Sequence, residues 1–380
     1  MAKINEKIQA SILFASYFET IGFHNGKWEF NYQYNITNLN SYCRVWNKLL
    51  HNYIILGGSN IDVTGMNASD DTILIIATAE AVIKGGGMEN YKQSYIDSYD
   101  MLIDMRRASG ITTIKTLDTQ RKGSTIKINP LMGGNGAALR TGIIGLIYYN
   151  DVEKVINESI MASRITHNFY IGFLSGMVTA LFTSFAMKNI PPWEWIDRMI
   201  TLYDNKTIEK YYPSDHKLSD MDGYMGQWKR YKETRLNKLK YKNTLDTFIY
   251  PEERTEFLIS FNMDSEIKEL VLKGMNHTKI PEQYWNKIGS SGLDCCIYAY
   301  DCLLMSIFTP GSKTIDFNNV VYNMETFITL VSIHPGDNDT TAAVGGTWFG
   351  ALNGFNSFDT KRFKQLEFYE ELNAVIKKLL

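Results

Sequence analysis

Two short acidic segments of the sequence combine paired carboxylates with hydroxyl groups at the beginning of an apolar stretch. One is Ser-Asp-Asp-Thr at 69–72 and the other is Asp-Asn-Asp-Thr at 337–340. A serine or aspartate in such a place could simply cap the free backbone N–H groups of a helix. A single residue is enough for that purpose, however, and the recurrence of one composition at two helix starts points to a second role.

Paired carboxylates of this kind suit a divalent cation. Gathered in one cleft, Asp70, Asp71, Asp337 and Asp339 would repel one another unless a cation lay among them. The donor atoms are oxygens with no cysteine or histidine clustered among them, which suits Mg²⁺ or Mn²⁺ rather than Zn²⁺. Four carboxylates can hold two such ions, and a binuclear site activates water and neutralises developing charge. The pattern predicts metal-assisted chemistry and leaves the reaction class open.

Three other small polar segments have both a plain and a functional interpretation. Gly-Gly-Asn-Gly at 133–136 opens a helical stretch, where backbone N–H groups can bind phosphate, but a plain tight turn explains it equally well. Gly-Ser-Ser-Gly at 289–292 follows Tyr284 and could contact an adenine or a ribose, although spacing alone favours a simple helix start. Glu29, in the Asn-Gly-Lys-Trp-Glu-Phe run at 25–30, could form a surface ion pair or act near the chemistry.

The elements that would carry these segments are helical. Apolar residues recur at helical spacing and proline is scarce within these stretches, whereas strand-like alternation is short and scattered. We therefore predict an all-α fold, with one domain covering residues 1–380. The predicted helices are residues 4–20, 72–84, 89–108, 136–149, 151–163, 169–188, 293–309, 317–333 and 340–355.

Two stretches are predicted to be peripheral. Residues 30–66, rich in Asn, Tyr and Gly, suit a loop with short helical pieces, and residues 203–290 have more charge and fewer apolar runs. The second stretch contains a basic cluster with interleaved aromatic residues. A solvated helix face is favoured there over a nucleic-acid surface, because the rest of the chain is not basic. The cluster consists of Lys229, Arg230, Lys232, Arg235, Lys238, Lys240 and Lys242, with Trp228, Tyr231 and Tyr241 between them.

Composition narrows the classes of partner. The 380 residues carry a formal net charge of −2, which gives no global attraction to nucleic acid or to an anionic membrane. The four cysteines lack zinc spacing and are interpreted as buried thiols in a reducing compartment, so a cytoplasmic location is expected. The uncharged run at 171–187 falls short of a membrane span and is expected to form a buried core helix.

In this order along the chain, the five segments resemble the ADP-ribosylhydrolase family. That family includes the ADP-ribosylarginine hydrolases and the bacterial glycohydrolase that reactivates dinitrogenase reductase. The resemblance runs from about Ile8 to Phe358, and the run at 25–30 together with Tyr300-Asp301 looks like the arginine-specific branch. It implies an orthogonal helical bundle with two bound Mg²⁺ ions, or Mn²⁺ in their place.

The resemblance also implies the site residues, by motif matching. The metal ligands would be Ser69, Asp70, Asp71, Asp337, Asp339 and Thr340, and the catalytic residues Asp70, Asp71 and Glu29. Gly133, Gly134, Asn135 and Gly136 would hold the diphosphate, and Asn129 would also bind substrate. Tyr284, Ser290, Ser291 and Gly292 would contact the adenosine end.

The implied reaction is hydrolysis of the N-glycosidic bond between ribose and an arginine guanidinium, which releases ADP-ribose and unmodified arginine. The implied partners are arginine-ADP-ribosylated proteins, and the protein is expected to be a monomer. A carboxylate would stabilise the oxocarbenium-like transition state, and Asp71 or Glu29 would take the proton of the attacking water. Two alternatives stay open, namely an inactive ADP-ribose-binding scaffold and a hydrolase of O-linked ADP-ribosyl-serine.

The chain departs from the family pattern at several positions. Glu19 stands where the family usually has aspartate in the first helix, and its extra methylene could alter a contact beside the site. Leu293 replaces a common histidine of the arginine-specific branch and Phe23 a common tyrosine, which bears on substrate preference. None of these changes removes an expected metal ligand.

Overall fold

The structure, a computed structural model, describes residues 3–237, 252–261, 284–307 and 320–380. These ranges are largely helical and contain no strand, which confirms the predicted all-α class. The α-helices are α1 (Ile4–Phe23), α2 (Leu39–Ile55), α3 (Asp70–Ile83), α4 (Met88–Asp97), α5 (Tyr99–Leu102), α6 (Ile111–Arg121), α7 (Ala138–Ile147), α8 (Val152–Arg164), α9 (Tyr170–Met187), α10 (Trp195–Asp204), α11 (Leu218–Tyr231), α12 (Glu252–Ile259), α13 (Gly292–Met305), α14 (Met324–Ser332), α15 (Asn338–Asn353) and α16 (Tyr369–Leu379).

The centre of the described fold is the packing of α1 against α15. Glycines let the two backbones touch: a Cβ on Gly350 would lie 2.4 Å from the backbone nitrogen of Ser11, and one on Gly346 would lie 2.6 Å from the carbonyl oxygen of Phe14. Both distances are far below van der Waals contact, so no larger residue fits without moving a helix. The small residues of α15, poor helix formers in isolation, are therefore explained by this close approach.

Helix α9 fills the middle of the core. By length and composition it could cross a membrane, but 89% of the residues in its apolar stretch are buried inside the protein. The indole N–H of Trp348 donates to the carbonyl of Thr179 at 3.1 Å, which joins α9 to α15. The structure therefore agrees with the expected core helix at 171–187.

The prediction of a loop with short helical pieces at 30–66 is wrong in its central part, where α2 forms 17 consecutive helical residues. Asn38 and Ser41 make a reciprocal capping box at its start, with the amide N–H of Ser41 donating to Asn38 Oδ1 at 2.9 Å. Its buried face includes Tyr42, Val45 and Trp46, a helical spacing that the many polar neighbours obscure in the sequence.

The prediction of one helix at 89–108 also needs correction. Helix α4 ends at Asp97, the short α5 follows, and a 3₁₀ turn covers Met105–Arg107. Ala108 then has a φ of +54°, in the left-handed region that ends a helix. The end of α-helical structure after Leu102 matters because residues from Met105 onward form part of the cleft described below.

The polar stretch at 203–290 is not wholly peripheral, because α11 buries Trp228 and Tyr231 in the core. The interpretation of the basic cluster as a solvated face is wrong for Arg235, which forms a buried ion pair with Asp301. Arg254 donates to the same carboxylate at 2.7 Å, so Asp301 is paired with two arginines. Lys229 lies at the surface, and Lys238, Lys240, Tyr241 and Lys242 lie outside the described residues.

Candidate active site

A cleft of about 810 Å³ brings together all five segments singled out in the sequence, the one at 289–292 through Ser290. Both acidic turns line it, although they are remote from each other along the chain. The glycine-rich loop before α7 lines it as well, as does the segment at 25–30 after α1. The volume lies within the range of roughly 300–1,000 Å³ that is usual for small-molecule sites.

Three carboxylates converge inside this cleft. Oxygens of Glu29, Asp337 and Asp339 all lie within 4.8 Å of one another. Burial and the charges of Asp339 and Asp337 hold the pKa of Glu29 well above its ordinary value. Burial and Asp339 likewise raise the pKa of Asp70 to about 7. Carboxylates that repel one another this strongly favour either a proton or a cation among them.

Two carboxylate oxygens indicate that a cation fits. Oδ2 of Asp71 and Oδ1 of Asp337 are buried and accept no hydrogen bond from the described residues. A buried carboxylate oxygen without a donor is costly, and a metal ligand is one of the few ordinary explanations for it. Because all these donors are oxygens, the residues present suit a hard divalent cation.

Ser69 and Thr340, the two expected hydroxyl ligands, are placed differently. Thr340 lines the cleft, whereas Ser69 is fully buried beneath it. The backbone N–H and the hydroxyl of Ser69 both donate to Oε1 of Glu19, at 2.6 Å each. Burial raises the pKa of Glu19 to about 8, while these hydrogen bonds oppose the rise. Glu19 therefore fixes the orientation of the first acidic turn.

Two loops that looked separate in the sequence are paired in the structure. The N–H of Gly292 donates to the carbonyl of Gly133 at 3.0 Å, and that of Asn135 donates to the carbonyl of Ser290 at 3.2 Å. The amide of Asn135 then donates to Oδ2 of Asp337 at 2.8 Å. The glycine-rich loop is thereby tied to the second acidic turn, directly before the N-terminus of α7.

A neutral histidine completes this wall. Arg140 donates to the hydroxyl of Thr166 at 2.6 Å, and that hydroxyl lies 2.8 Å from Nδ1 of His167. We assign the hydroxyl proton of Thr166 to the hydrogen bond with Nδ1, and this assignment places the imidazole proton on Nε2. Burial and Arg140 lower the pKa of His167 to about 3, so the ring is uncharged at neutral pH. His167 lines the cleft and presents an N–H donor there.

The same histidine explains one glycine of the loop. A Cβ on Gly136 would lie 2.6 Å from Cε1 of His167, so a side chain at this position would displace the ring. Thr166-His167 lies outside the five segments singled out in the sequence. Its role in the cleft depends on Arg140, which pattern alone does not connect to it.

Several expected substrate contacts lie away from the cleft. Asn129 caps the N–H of Leu131 at 3.0 Å and lines a separate pocket of about 340 Å³. The hydroxyl of Ser291 caps α13 through Asp294, and Gly292 packs against the backbone of α9. Gly133 and Tyr284 do not line the cleft either, whereas Gly134, Asn135, Gly136 and Ser290 do.

Two positioning groups were not found from the sequence. Buried Asp294 accepts the N–H groups of Gly289 and Ser291 and so shapes the turn at 289–292. Arg107 donates to both carboxylate oxygens of Glu367, at 2.6 and 2.9 Å, and to the carbonyl of Ala68 at 2.9 Å. Because Ala68 directly precedes the first acidic turn, the hydrogen bond from Arg107 to its carbonyl connects that turn to residues 108–113, which line the cleft.

Comparisons with known proteins agree with this architecture. The sequence profile described as ADP-ribosylglycohydrolase matches residues 26–380. The ADP-ribosylhydrolase ARH1 of Dictyostelium discoideum is 28% identical over 415 residues, covering 100% of this chain and 95% of that protein. A protein of Acanthamoeba polyphaga mimivirus described as an ADP-ribosyl glycohydrolase, L444, is 30% identical over 395 residues, covering 96% of this chain and 68% of that protein.

Similarity of fold extends to a solved structure. A chain of an ADP-ribosylglycohydrolase-related protein complex superposes with a TM-score of 0.54 and 15% identity, and 98% of each chain is covered. This identity is too low to speak of more than the fold. Because the family profile spans nearly the whole sequence, the chain belongs to the ADP-ribosylglycohydrolase family of hydrolases.

Proposed function

We propose that the protein hydrolyses the N-glycosidic bond that joins ADP-ribose to arginine side chains of modified proteins. The observation that carries the proposal is the convergence of Glu29, Asp70, Asp71, Asp337 and Asp339 on one cleft beside a glycine-rich helix N-terminus. The similarity to a relative named ADP-ribosylhydrolase ARH1 supports it. Four free thiols, three of them buried, support a reducing compartment such as the cytoplasm.

Two Mg²⁺ ions would be held by the oxygen ligands of the two acidic turns, with Mn²⁺ as the substitute ion. When bound, such ions supply Lewis acidity, which polarises ribose hydroxyls and acidifies water. The proposed ligands are Ser69, Asp70, Asp71, Asp337, Asp339 and Thr340. Among the described residues, none donates a hydrogen bond to the buried Oδ2 of Asp71 or Oδ1 of Asp337, and this is the structural support for the assignment.

The chain's own residues would hold the two ends of the substrate. The N–H groups around Gly134–Gly136 and the N-terminus of α7 favour the diphosphate, and Nε2 of His167 adds a neutral donor on the same wall. Phe30 and Tyr32 also line the cleft, with ring centroids 5.3 Å apart, and would hold the arginine end. Aromatic faces stack well on a planar guanidinium, which favours an arginine linkage over a serine linkage.

Carboxylates beside the ribose would carry the proton transfer and the charge stabilisation. Cleavage of the bond between the anomeric carbon and nitrogen leaves its electron pair on the guanidine and positive charge on the ribose ring. Water adds to the anomeric carbon and gives one proton to a carboxylate, while the guanidine leaves and is protonated. Glu29 and Asp71, two acidic residues that line the cleft, are the two candidates for that carboxylate.

The test is release of ADP-ribose from matched proteins modified on arginine or on serine, with Mg²⁺ or with EDTA. We expect metal-dependent release from the arginine-modified protein and at least a hundredfold loss of kcat/KM in Asp339→Asn, because a metal ligand is removed. Asp100→Asn, a surface carboxylate whose side chain is 83% exposed, is the matched control. Release from the serine-modified protein alone would assign the alternative linkage. ADP-ribose binding without any release would assign a scaffold instead.

A further inference from the structure

Large apolar side chains are exposed at the mouth of the cleft. Met105 is 96% exposed and Ile111 is 70% exposed, and both line the cleft. Leu131 is 81% exposed, and its carbonyl accepts a hydrogen bond from the hydroxyl of Thr112, next to Ile111, at 3.3 Å. We call Met105, Ile111 and Leu131 the apolar rim.

The apolar rim is held in place by buried groups. Arg107, two residues after Met105, is anchored to Glu367 and to the Ala68 carbonyl. Ser109 donates to the carbonyl of Leu102 at 2.6 Å, which folds the segment back onto α5. Exposed apolar groups on a firmly held segment form a surface that is ready to bind without an ordering cost.

The charged neighbours of the apolar rim do not make it a polar surface. Arg106 and Asp104 form an ion pair at 2.6 Å with each other, so their charges compensate locally. The same stretch also exposes Met101 and Ile103, at 47% and 50%. Soluble proteins seldom expose several large apolar side chains together unless the surface binds a partner.

The size of the cleft indicates what that partner is. A volume of about 810 Å³ takes a small molecule but not a folded protein, so the polypeptide part of a modified protein stays at the mouth. We propose that the apolar rim binds the polypeptide beside the modified arginine, and that it favours apolar side chains there. This inference rests on the proposed function, since it assigns the part of that substrate that lies outside the cleft.

The experiment compares three substrates: ADP-ribosyl-arginine itself, and two arginine-ADP-ribosylated peptides of equal length. One peptide has leucine and phenylalanine beside the modified residue, and the other has serine and glycine. The triple variant Met105→Gln, Ile111→Thr, Leu131→Gln is tested against the control Ile55→Thr, an exposed apolar residue at the end of α2. The measured quantity is kcat/KM for each substrate.

We expect the wild-type protein to prefer the apolar peptide over the polar one. In the triple variant, kcat/KM for the apolar peptide, divided by kcat/KM for ADP-ribosyl-arginine, should fall about tenfold because three apolar contacts are lost. The control should keep the wild-type ratio. The proposal about the apolar rim would be overturned if the triple variant kept the wild-type ratio, including the case in which kcat/KM fell equally for all three substrates. Either result would leave the proposed function intact. A wild-type protein inactive on every substrate would overturn the proposed function itself. An unchanged ratio accompanied by loss of a dimer in gel filtration would assign the apolar rim to self-association and also overturn the proposal.

Discussion

Shortening Glu19 by one methylene provides a sharp test of how the first acidic turn is held. In Glu19→Asp the carboxylate is withdrawn by about 1.5 Å, the length of one carbon–carbon bond. The two contacts to Ser69, at 2.6 Å each, would then stretch to about 4 Å, beyond hydrogen-bond distance. Helix α1 cannot move to restore them, because a Cβ on Gly22 would already lie 2.6 Å from the carbonyl oxygen of Asn338.

The magnitude follows from the burial of Ser69. Its residue surface is fully buried, so both its N–H and its hydroxyl would lose their acceptor without gaining water. An unsatisfied buried donor costs about 1–3 kcal/mol, so the loss of both acceptor contacts in Glu19→Asp should lower the free energy of unfolding by about 2–6 kcal/mol in total. Since Ser69 precedes Asp70, the Mg²⁺ concentration for half-maximal activity should also rise at least tenfold, which is about 1.4 kcal/mol.

Two assays measure these effects: urea unfolding followed by circular dichroism, and ADP-ribose release as a function of Mg²⁺ concentration. Glu89→Asp makes the same change on the exposed first turn of α4 and should alter neither quantity. If Glu19→Asp unfolds within 1 kcal/mol of the wild type and keeps its magnesium midpoint, the geometric argument is refuted.

Three further predictions concern the packing and the charges. Gly350→Ala puts a Cβ against the α1 backbone and should lower the free energy of unfolding, measured in urea, by about 1–3 kcal/mol. Gly223→Ala adds a Cβ in open space on α11 and should raise the same free energy by about 0.5–1 kcal/mol. The opposite order of stabilities would contradict the packing of α1 against α15. Burial raises the pKa of Asp301, but its two arginine partners outweigh burial and hold the pKa at about 2. The ionised carboxylate should therefore stabilise the fold by about 2 kcal/mol above pH 3.8, and this stabilisation should disappear as the pH falls toward 2. The difference in unfolding free energy between wild type and Asp301→Asn should shrink over that range. Arg107→Lys keeps the charge but cannot span the Ala68 carbonyl and both oxygens of Glu367, so it should raise the Mg²⁺ concentration for half-maximal activity severalfold. Lys122→Arg, at the exposed end of α6, should leave that concentration unchanged. Equal values in both variants would contradict the role of Arg107 in holding the first acidic turn.

The long apolar helices could be predicted because their amino-acid composition alone indicates that they are buried. Helices α1, α9 and α15 have apolar or small residues on nearly every side, and their predicted bounds agree with the structure to within a few residues. Helix α16 was missed because only Leu372, Val375 and Ile376 of its residues are buried, a single narrow stripe among charges. Short amphipathic helices of this kind are stabilised by tertiary packing more than by their own sequence.

The acidic residues of the candidate site could be named from the sequence because their chemistry is local. Asp70 and Asp71 are adjacent, and Asp337 and Asp339 flank a single residue, so each turn is recognisable by itself. The groups that orient these turns are not local: Glu19 acts on Ser69, and Arg107 acts through Glu367. Such pairs become visible only when the helices that carry them are packed.

Packing of α1 against α15 has a consequence for biosynthesis. Helix α1 can pack against α15 only after residues 338–353 have been made. Until then, the nascent chain exposes the face of α1 that the glycines of α15 cover in the folded protein. Closure of so long a loop is slow, and nascent chains of this protein should depend on chaperones and be prone to degradation when synthesis stalls before α15.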